Sequence, residues 1–255
     1  MDPAPLFRLD DKAAIVTGGG RGLGRAMAQG LAAAGAGVVV VARREDDLAE
    51  TVKLVTDAGG RCVAVAGDVV EPETADKAVA ACREAYGRVD ILVNNAGLLD
   101  MGDVDEMEES AWRRVLDVNL VGSFLFTKAV GPHLKAQKSG KVVNIASVLG
   151  TFGVAGATAY CTAKAGIMGY TRSLAVEWGP HGIQVNCIAP GLFETDMSAG
   201  VIGNPEFYQQ VLAGIPRGVH GQPEELVGTC LYLCSSASDH VVGQVVHVDG
   251  GATIA

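Results

Sequence analysis

Seven short apolar runs alternate with helix-length amphipathic stretches from one end of this chain to the other, and that alternation limits the fold more than any other feature. The runs are Ala13–Thr17, Gly37–Ala42, Cys62–Ala66, Val89–Asn94, Val142–Ala146, Gln184–Ile188 and Gln244–Val248. Several are almost continuous Val, Ile and Ala, as strands covered on both faces require. Helical patterns lie between them at Leu23–Ala34, Arg44–Ala58, Pro72–Tyr86, Ala111–His133, Ala159–Trp178 and Pro223–Ser235. Strand alternating with helix predicts an α/β fold, a doubly wound parallel seven-stranded sheet with right-handed crossovers. No linker interrupts the pattern, so residues 1–255 are expected to form one Rossmann-type domain. The one irregular insertion, 192–221, carries Gly200, Gly203, Pro205, Gly214, Pro216 and Gly218 and is expected to act as a lid over the strand ends.

The first strand runs into Thr17-Gly18-Gly19-Gly20-Arg21-Gly22-Leu23-Gly24 and then a helix. In that setting glycines let the backbone approach a pyrophosphate, while the helix start offers free N–H groups and a positive dipole end. A glycine turn alone is a common connection, but its place directly after the first strand favours dinucleotide binding. The spacing Gly18-x3-Gly22-x-Gly24 departs from the general GxGxxG pattern and narrows the family.

Further motifs complete it: Asp68-Val69, Asn94-Asn95-Ala96-Gly97, Asn119, Ser147, Tyr160-x3-Lys164 and Pro190-Gly191. With these motifs in this order, the chain resembles the short-chain dehydrogenase/reductase family over nearly its full length, closest in look to gluconate 5-dehydrogenase-like and 3-oxoacyl-reductase-like members. The resemblance implies that Tyr160 is the general acid/base, Lys164 its activator, Ser147 the hydroxyl that orients a carbonyl, and Asn119 a structural and proton-relay partner. It also implies that Asp68 and Val69 face adenine and that Asn95, Ala96 and Gly97 pass the adenosine ribose. Pro190, Gly191, Phe193 and Thr195 would line the nicotinamide, and Lys164 would bond its ribose.

Residue chemistry agrees with these roles. Tyr160 and Lys164 are four apart on one helix and share a face. A tyrosine with a pKa of about 10 is phenolate in roughly one molecule per thousand at neutral pH. A neighbouring ammonium is expected to favour that anion. Each residue alone has an ordinary reading, as a helix-face tyrosine, a solvated lysine, a loop serine or a mid-helix irregularity. Downstream of the glycine loop, the set together reads as catalytic.

Three arginines bear on the cofactor. NAD-binding relatives usually end the second strand with an aspartate that holds the ribose hydroxyls. Here the strand ends Val40-Val41-Ala42 and continues Arg43-Arg44, with Arg21 approaching from the glycine loop. Guanidinium forks match phosphate oxygens, so NADP(H) is expected rather than NAD(H). The plainer alternative pairs these arginines with Glu45, Asp46 or Asp47.

The substrate is expected to be a small-molecule ketone or aldehyde. Candidate pocket residues Leu98, Leu99, Val148, Phe152, Phe193 and Met197 are mostly apolar and favour a moderately hydrophobic ketone. A sugar-acid substrate would need a cation such as Arg217 or His220 from the lid. A carrier-dependent 3-oxoacyl reductase ranks lower, since Val176 and His181 stand where such enzymes commonly have arginines. A cofactor-binding regulator is the reading from another class, opposed by the intact Tyr160 and Lys164.

Composition excludes other classes. With 49% hydrophobic and 19% charged residues the chain supports a large core. A net charge of −9 without a basic run gives no nucleic-acid footprint. The longest apolar stretch, Gly30 to Ala42, is shorter than the roughly 20 residues a bilayer span needs. No signal peptide is evident, and a cytoplasmic location is expected. The six cysteines (Cys62, Cys82, Cys161, Cys187, Cys230 and Cys234) form no CxxC pair and read as reduced core thiols. Cys230 and Cys234 lie one turn apart with only His240 nearby, so no metal is expected. Small residues on the two long helices, including Ala129, Gly131, Ala165, Gly166 and Gly169, allow close helix approach and lead to an expected homotetramer.

Overall fold

The computed structural model describes residues 2–255. Seven strands form one parallel sheet: β1 (Ala13–Thr17), β2 (Gly37–Ala42), β3 (Arg61–Ala66), β4 (Ile91–Asn94), β5 (Gly140–Ile145), β6 (Ile183–Pro190) and β7 (Val245–Val248). Their spatial order is β3-β2-β1-β4-β5-β6-β7, so the winding reverses between β1 and β4. Ligands of open α/β sheets bind outside the strand carboxyl ends at such a point. The predicted fold class is the one observed.

The apolar runs are nearly continuous because both faces are covered. Alternate residues of β1 point to opposite sides. Ala14 and Val16 join the core under α1 (Gly22–Ala33) and α2 (Glu45–Asp57). Ala13 and Ile15 join the core under α3 (Pro72–Tyr86) and the helices that follow β4. Strand β4 starts two residues later than the apolar run suggests. The buried Asp90 carboxylate accepts the Ala13 N–H at 2.9 Å and an Arg88 bond at 2.5 Å, fixing the entry to the strand by side-chain bonding.

One expected helix is really three pieces. Ala111–His133 resolves into α4 (Glu109–Leu116), a π-helical turn (Asp117–Val121) and α5 (Gly122–Gln137). The break falls at Asn119, whose side chain competes for backbone groups. The helix α6 (Thr158–Trp178) then carries Tyr160 and Lys164. The insertion after β6 is less irregular than expected, containing α7 (Ala199–Ile202) and α8 (Pro205–Ala213). A 3₁₀ turn at Pro223–Leu226 precedes α9 (Val227–Cys234). No helix among the described residues is long and apolar enough to cross a membrane.

Candidate active site

The glycine loop is held by close backbone approach and by hydroxyls from elsewhere in the chain. Gly18 has φ +65°, a left-handed conformation that disfavours side chains. A Cβ on Gly24 would lie 2.1 Å from the Gly18 carbonyl oxygen, so only glycine lets α1 start this close to the loop. Just after β4, the Asn95 and Ala96 N–H groups donate to Thr17 Oγ1 at 2.9 and 3.0 Å, and Asn95 Nδ2 donates to the Thr17 carbonyl at 2.9 Å. These bonds lace β1 to β4 where the winding reverses. From α2, the fully buried Thr51 hydroxyl lies 3.0 Å from the Gly19 carbonyl and 3.1 Å from that of Gly20. Arg25 Nε also donates to the Gly20 carbonyl at 3.0 Å. Thr17 stood in the sequence motif without a role, whereas sequence reasoning missed Thr51 and Arg25. Of these two, Thr51 left a signal, a polar residue on the buried face of α2 with Leu48 and Val55.

No side chain caps α1 at Arg21, so the first-turn N–H groups at Gly22, Leu23 and Gly24 remain available to an anion. An open cleft of about 680 Å³ lies in front of them. Arg21, Gly22 and Arg44 line one side, and Glu194, Thr195 and Asp196 of the insertion line the other. Arg21 is ion-paired with Asp196 across this cleft, and a Cβ on Gly22 would touch Thr195 at 3.3 Å. Thr195 therefore stands over the glycine loop. Arg43 approaches Asp68 at 3.9 Å, and Arg114 of α4 approaches the same carboxylate at 3.5 Å. Arg44 pairs with Asp47 at 2.9 Å, the ordinary alternative considered for it.

Val69 is buried against Gly122 at the start of α5 rather than open to the cleft. Pro190 ends β6, and Gly191 is packed on Asp249, with no room for a side chain. Phe193 turns its ring inward onto Gly221, where a Cβ would lie 2.6 Å away, and belongs to the core at the root of the insertion. Phe193 thus shapes the region from beneath, whereas the sequence suggested an open pocket wall.

The reactive residues converge beyond the ends of β4 and β5. Both Tyr160 and Lys164 are buried on α6, with Lys164 Nζ 5.5 Å from the Tyr160 ring centre. Lys164 Nζ donates to the Ile145 carbonyl at 2.9 Å and has two further donors. Ser147 follows β5, and its Oγ accepts the Leu149 N–H at 3.2 Å, which fixes the hydroxyl. Asn119 Nδ2 donates to the Leu98 and Val115 carbonyls at 2.7 and 2.8 Å, tying the π-helical turn to the loop after β4. A Cβ on Gly97 would fall 3.1 Å from Asn119 Oδ1 and 3.6 Å from Lys164 Nζ, so Gly97 leaves the space beside both.

Burial dominates the titration of the pair. It pushes Tyr160 up to about 12, with a smaller opposing effect from the Ser147 hydroxyl, and it pulls Lys164 down to about 8. Burial thus outweighs the lowering expected from the neighbouring ammonium. Leu98, Leu99, Met107, Trp112 and Leu149 pack against the cluster that Tyr160 forms with Val115 and Ala159. Phe152 and Met197 are exposed, and Val148 is buried. All six cysteines are free, and no cluster able to hold a metal occurs among the described residues.

A family model described as enoyl-(acyl carrier protein) reductase matches residues 18–253. The chain is 42% identical over 252 residues to the short-chain reductase protein NovJ of Streptomyces niveus, covering 94% of each protein. It is 39% identical over 249 residues to a 3-oxoacyl-[acyl-carrier-protein] reductase of Synechocystis, covering 96% of this chain and 98% of the relative. Among solved structures, a gluconate 5-dehydrogenase of Burkholderia cenocepacia in complex with NADP and tartrate superposes with a TM-score of 0.95 at 36% identity, over 100% of both chains. Glycine loop, π-helical turn and the Ser147, Tyr160 and Lys164 cluster thus coincide with full-length likeness to named reductases and dehydrogenases, and the chain belongs to the short-chain dehydrogenase/reductase family.

Proposed function

We propose that this protein interconverts a ketone or aldehyde and the corresponding alcohol with NADP(H), and that Tyr160 is its general acid/base. The observation that carries this reading is the convergence of Tyr160, Lys164 and Ser147 beyond the strand ends, next to a glycine loop whose close approaches leave backbone donors free. NADP fits that cradle, and the gluconate 5-dehydrogenase relative was crystallised with it. The cofactor, when bound, supplies or accepts the hydride at the carbonyl carbon.

The chain's own residues handle the oxygen. In reduction, the Tyr160 phenol gives its proton to the developing alkoxide, and in oxidation the phenolate takes it back. A pKa pushed up by burial keeps the phenol protonated at neutral pH, ready to donate. Ser147 Oγ donates a hydrogen bond to the same oxygen and orients it. Lys164, held by the Ile145 carbonyl, uses its remaining donors on the nicotinamide ribose and places positive charge beside the phenolate. Asn119 positions the turn that faces Lys164. Gly18, Gly22, Leu23 and Gly24 carry the pyrophosphate, Arg21 and Arg43 the 2′-phosphate, and Asp68 the adenine.

Tyr160→Phe tests the assignment, because it removes the proton donor and keeps the ring. Turnover of ketones with NADPH is expected to vanish while NADPH binding, followed by its fluorescence, stays within a few-fold. Near-normal turnover would refute it. We also propose a homotetramer, supported by exposed Val121 and Phe124 near the start of α5 and by open space at Gly169 on α6. Light scattering at micromolar protomer checks this, and a monomeric mass rules it out.

A further inference from the structure

We infer that the reaction site selects uncharged, apolar ketones and discriminates against anionic ones, sugar acids among them. This rests on the proposed carbonyl chemistry but concerns a separate property, the charge of the substrate. Three observations point to it.

The first is the rim. The loop after β4 brackets Tyr160, because Leu98 and Leu99 at its start and Met107 near its end all pack into the cluster that holds the Tyr160 ring. Gly102 N–H donates to the Gly156 carbonyl at 2.9 Å, closing this loop onto the one that follows Ser147. Between these anchors and the first turn of α4 the chain places Asp100, Asp103, Asp105, Glu106, Glu108 and Glu109. All six are exposed, and no Lys, Arg or His occurs from Val89 to Trp112. Glu109 is paired with Arg113 at 2.6 Å, and the other five have no ion-pair partner among the described residues. A one-signed rim repels like-charged ligands through the water at the entrance.

The second is the lid. A carboxylate substrate needs a cation, and the two that the insertion offers are already engaged. Arg217 pairs with Glu225 at 2.6 Å, and its own N–H is fixed to the Gly250 carbonyl at 3.0 Å. Glu225 in turn accepts the Gln222 N–H at 2.8 Å. His220 lies between the Tyr208 hydroxyl at 2.6 Å and Glu194 at 3.3 Å. Recruiting either cation would leave Glu225 or Glu194 without its ion-pair partner.

The third is the lining. Leu98, Leu99, Met107, Trp112 and Leu149 pack against the cluster of Val115, Ala159 and Tyr160, and Phe152 and Met197 remain exposed. An apolar wall lowers the energy of a hydrophobic body and offers a carboxylate nothing in return for its hydration.

The test compares methyl 4-acetylbenzoate with 4-acetylbenzoate, two ketones that differ only in charge and one methyl group, as substrates of the enzyme with NADPH. The ester is expected to exceed the carboxylate by about tenfold or more in kcat/KM, with the ratio falling as salt rises, because screening weakens exposed repulsion. The ratio should also fall in Asp103→Asn/Asp105→Asn/Glu106→Gln. A carboxylate that matches or beats the ester, or a ratio unmoved by the triple substitution, would overturn the inference. The same two compounds are titrated into Tyr160→Phe saturated with NADPH, where no hydride need move. Tighter binding of the ester there upholds the charge preference even if the parent turns over neither compound, a failure that would fall on the proposed catalysis alone. Tighter binding of the carboxylate overturns the preference by itself.

Discussion

Lys164 should make the fold less stable than an apolar residue of its shape would, and the size of the effect can be worked out. Its ammonium is buried, and burial lowers its pKa from 10.5 to about 8. At about 1.4 kcal/mol per tenfold change, that fall corresponds to roughly 3 kcal/mol against keeping the charge in the folded state at pH 7. The hydrogen bond from Nζ to the Ile145 carbonyl opposes it, at about 1 kcal/mol net. Lys164→Met keeps length and volume and removes both effects. The variant is therefore expected to be more stable by about 2 kcal/mol at pH 7, equivalent to roughly 4–8 °C in Tm for a chain of this size.

The sign reverses with pH. A lysine whose folded pKa is depressed carries its full cost below about 8 and loses it as pH rises to 10.5, where the unfolded side chain is also neutral. Above that range only the lost hydrogen bond remains, and the variant should be the less stable protein by about 1 kcal/mol. Urea unfolding of both proteins without cofactor, at one protomer concentration and at pH 7, 8, 9 and 10, reads the crossing. A variant that is less stable at pH 7, or a difference that stays constant with pH, would refute the reasoning. Turnover should be lost throughout, because the ammonium is needed beside the phenolate.

Two further substitutions probe the cofactor cradle. Thr51→Val removes a buried hydroxyl that bridges Gly19, Gly20 and Arg25, so it should cost about 1–3 kcal/mol of stability and weaken NADPH binding, with both restored in Thr51→Ser; unchanged NADPH fluorescence titrations would show that the loop does not need this support. NADPH should exceed NADH by about tenfold in kcat/KM, near 1.4 kcal/mol, and Ala42→Asp with Arg43→Leu should reverse the order; equal use by the parent would show that Arg21 and Arg43 face elsewhere.

What could be read from the sequence was local. Strands β1 and β2 had the bounds expected because runs such as Gly37–Ala42 are apolar on both faces and end at polar turns. Tyr160 and Lys164 were readable because four residues on a helix fix a shared face whatever the rest of the chain does. Asn119 announced itself as a poor helix former in mid-helix, although the extra residue of the π-helical turn was not visible. Partners distant in sequence were hidden. Nothing near Arg21 indicates Asp196, and nothing near Thr51 indicates the carbonyls of Gly19 and Gly20. The direction of the Tyr160 and Lys164 shifts was hidden for another reason. Charge proximity can be inferred from spacing, whereas depth of burial depends on α4, α6 and the loop after β4 meeting in space.

That same limit shapes cofactor choice. The arginines look like uncommitted charge in the sequence, but in the folded protein Arg21 holds Asp196 and Arg43 lies near Asp68. Binding a 2′-phosphate at the proposed site would therefore be an exchange of partners. Exposed carboxylate pairs of this kind contribute about 0–1 kcal/mol each, because water and salt screen them. A phosphate that accepts parallel bonds from a guanidinium fork gains more than that, since geometry adds to charge. The exchange would then favour the phosphate, by a margin smaller than free arginines would provide. It would also free Asp196 from the glycine loop and so couple the insertion to occupation of the ribose end. If Arg21 holds the 2′-phosphate as proposed, discrimination between cofactors and the position of the insertion would draw on the same contact, the ion pair between Arg21 and Asp196.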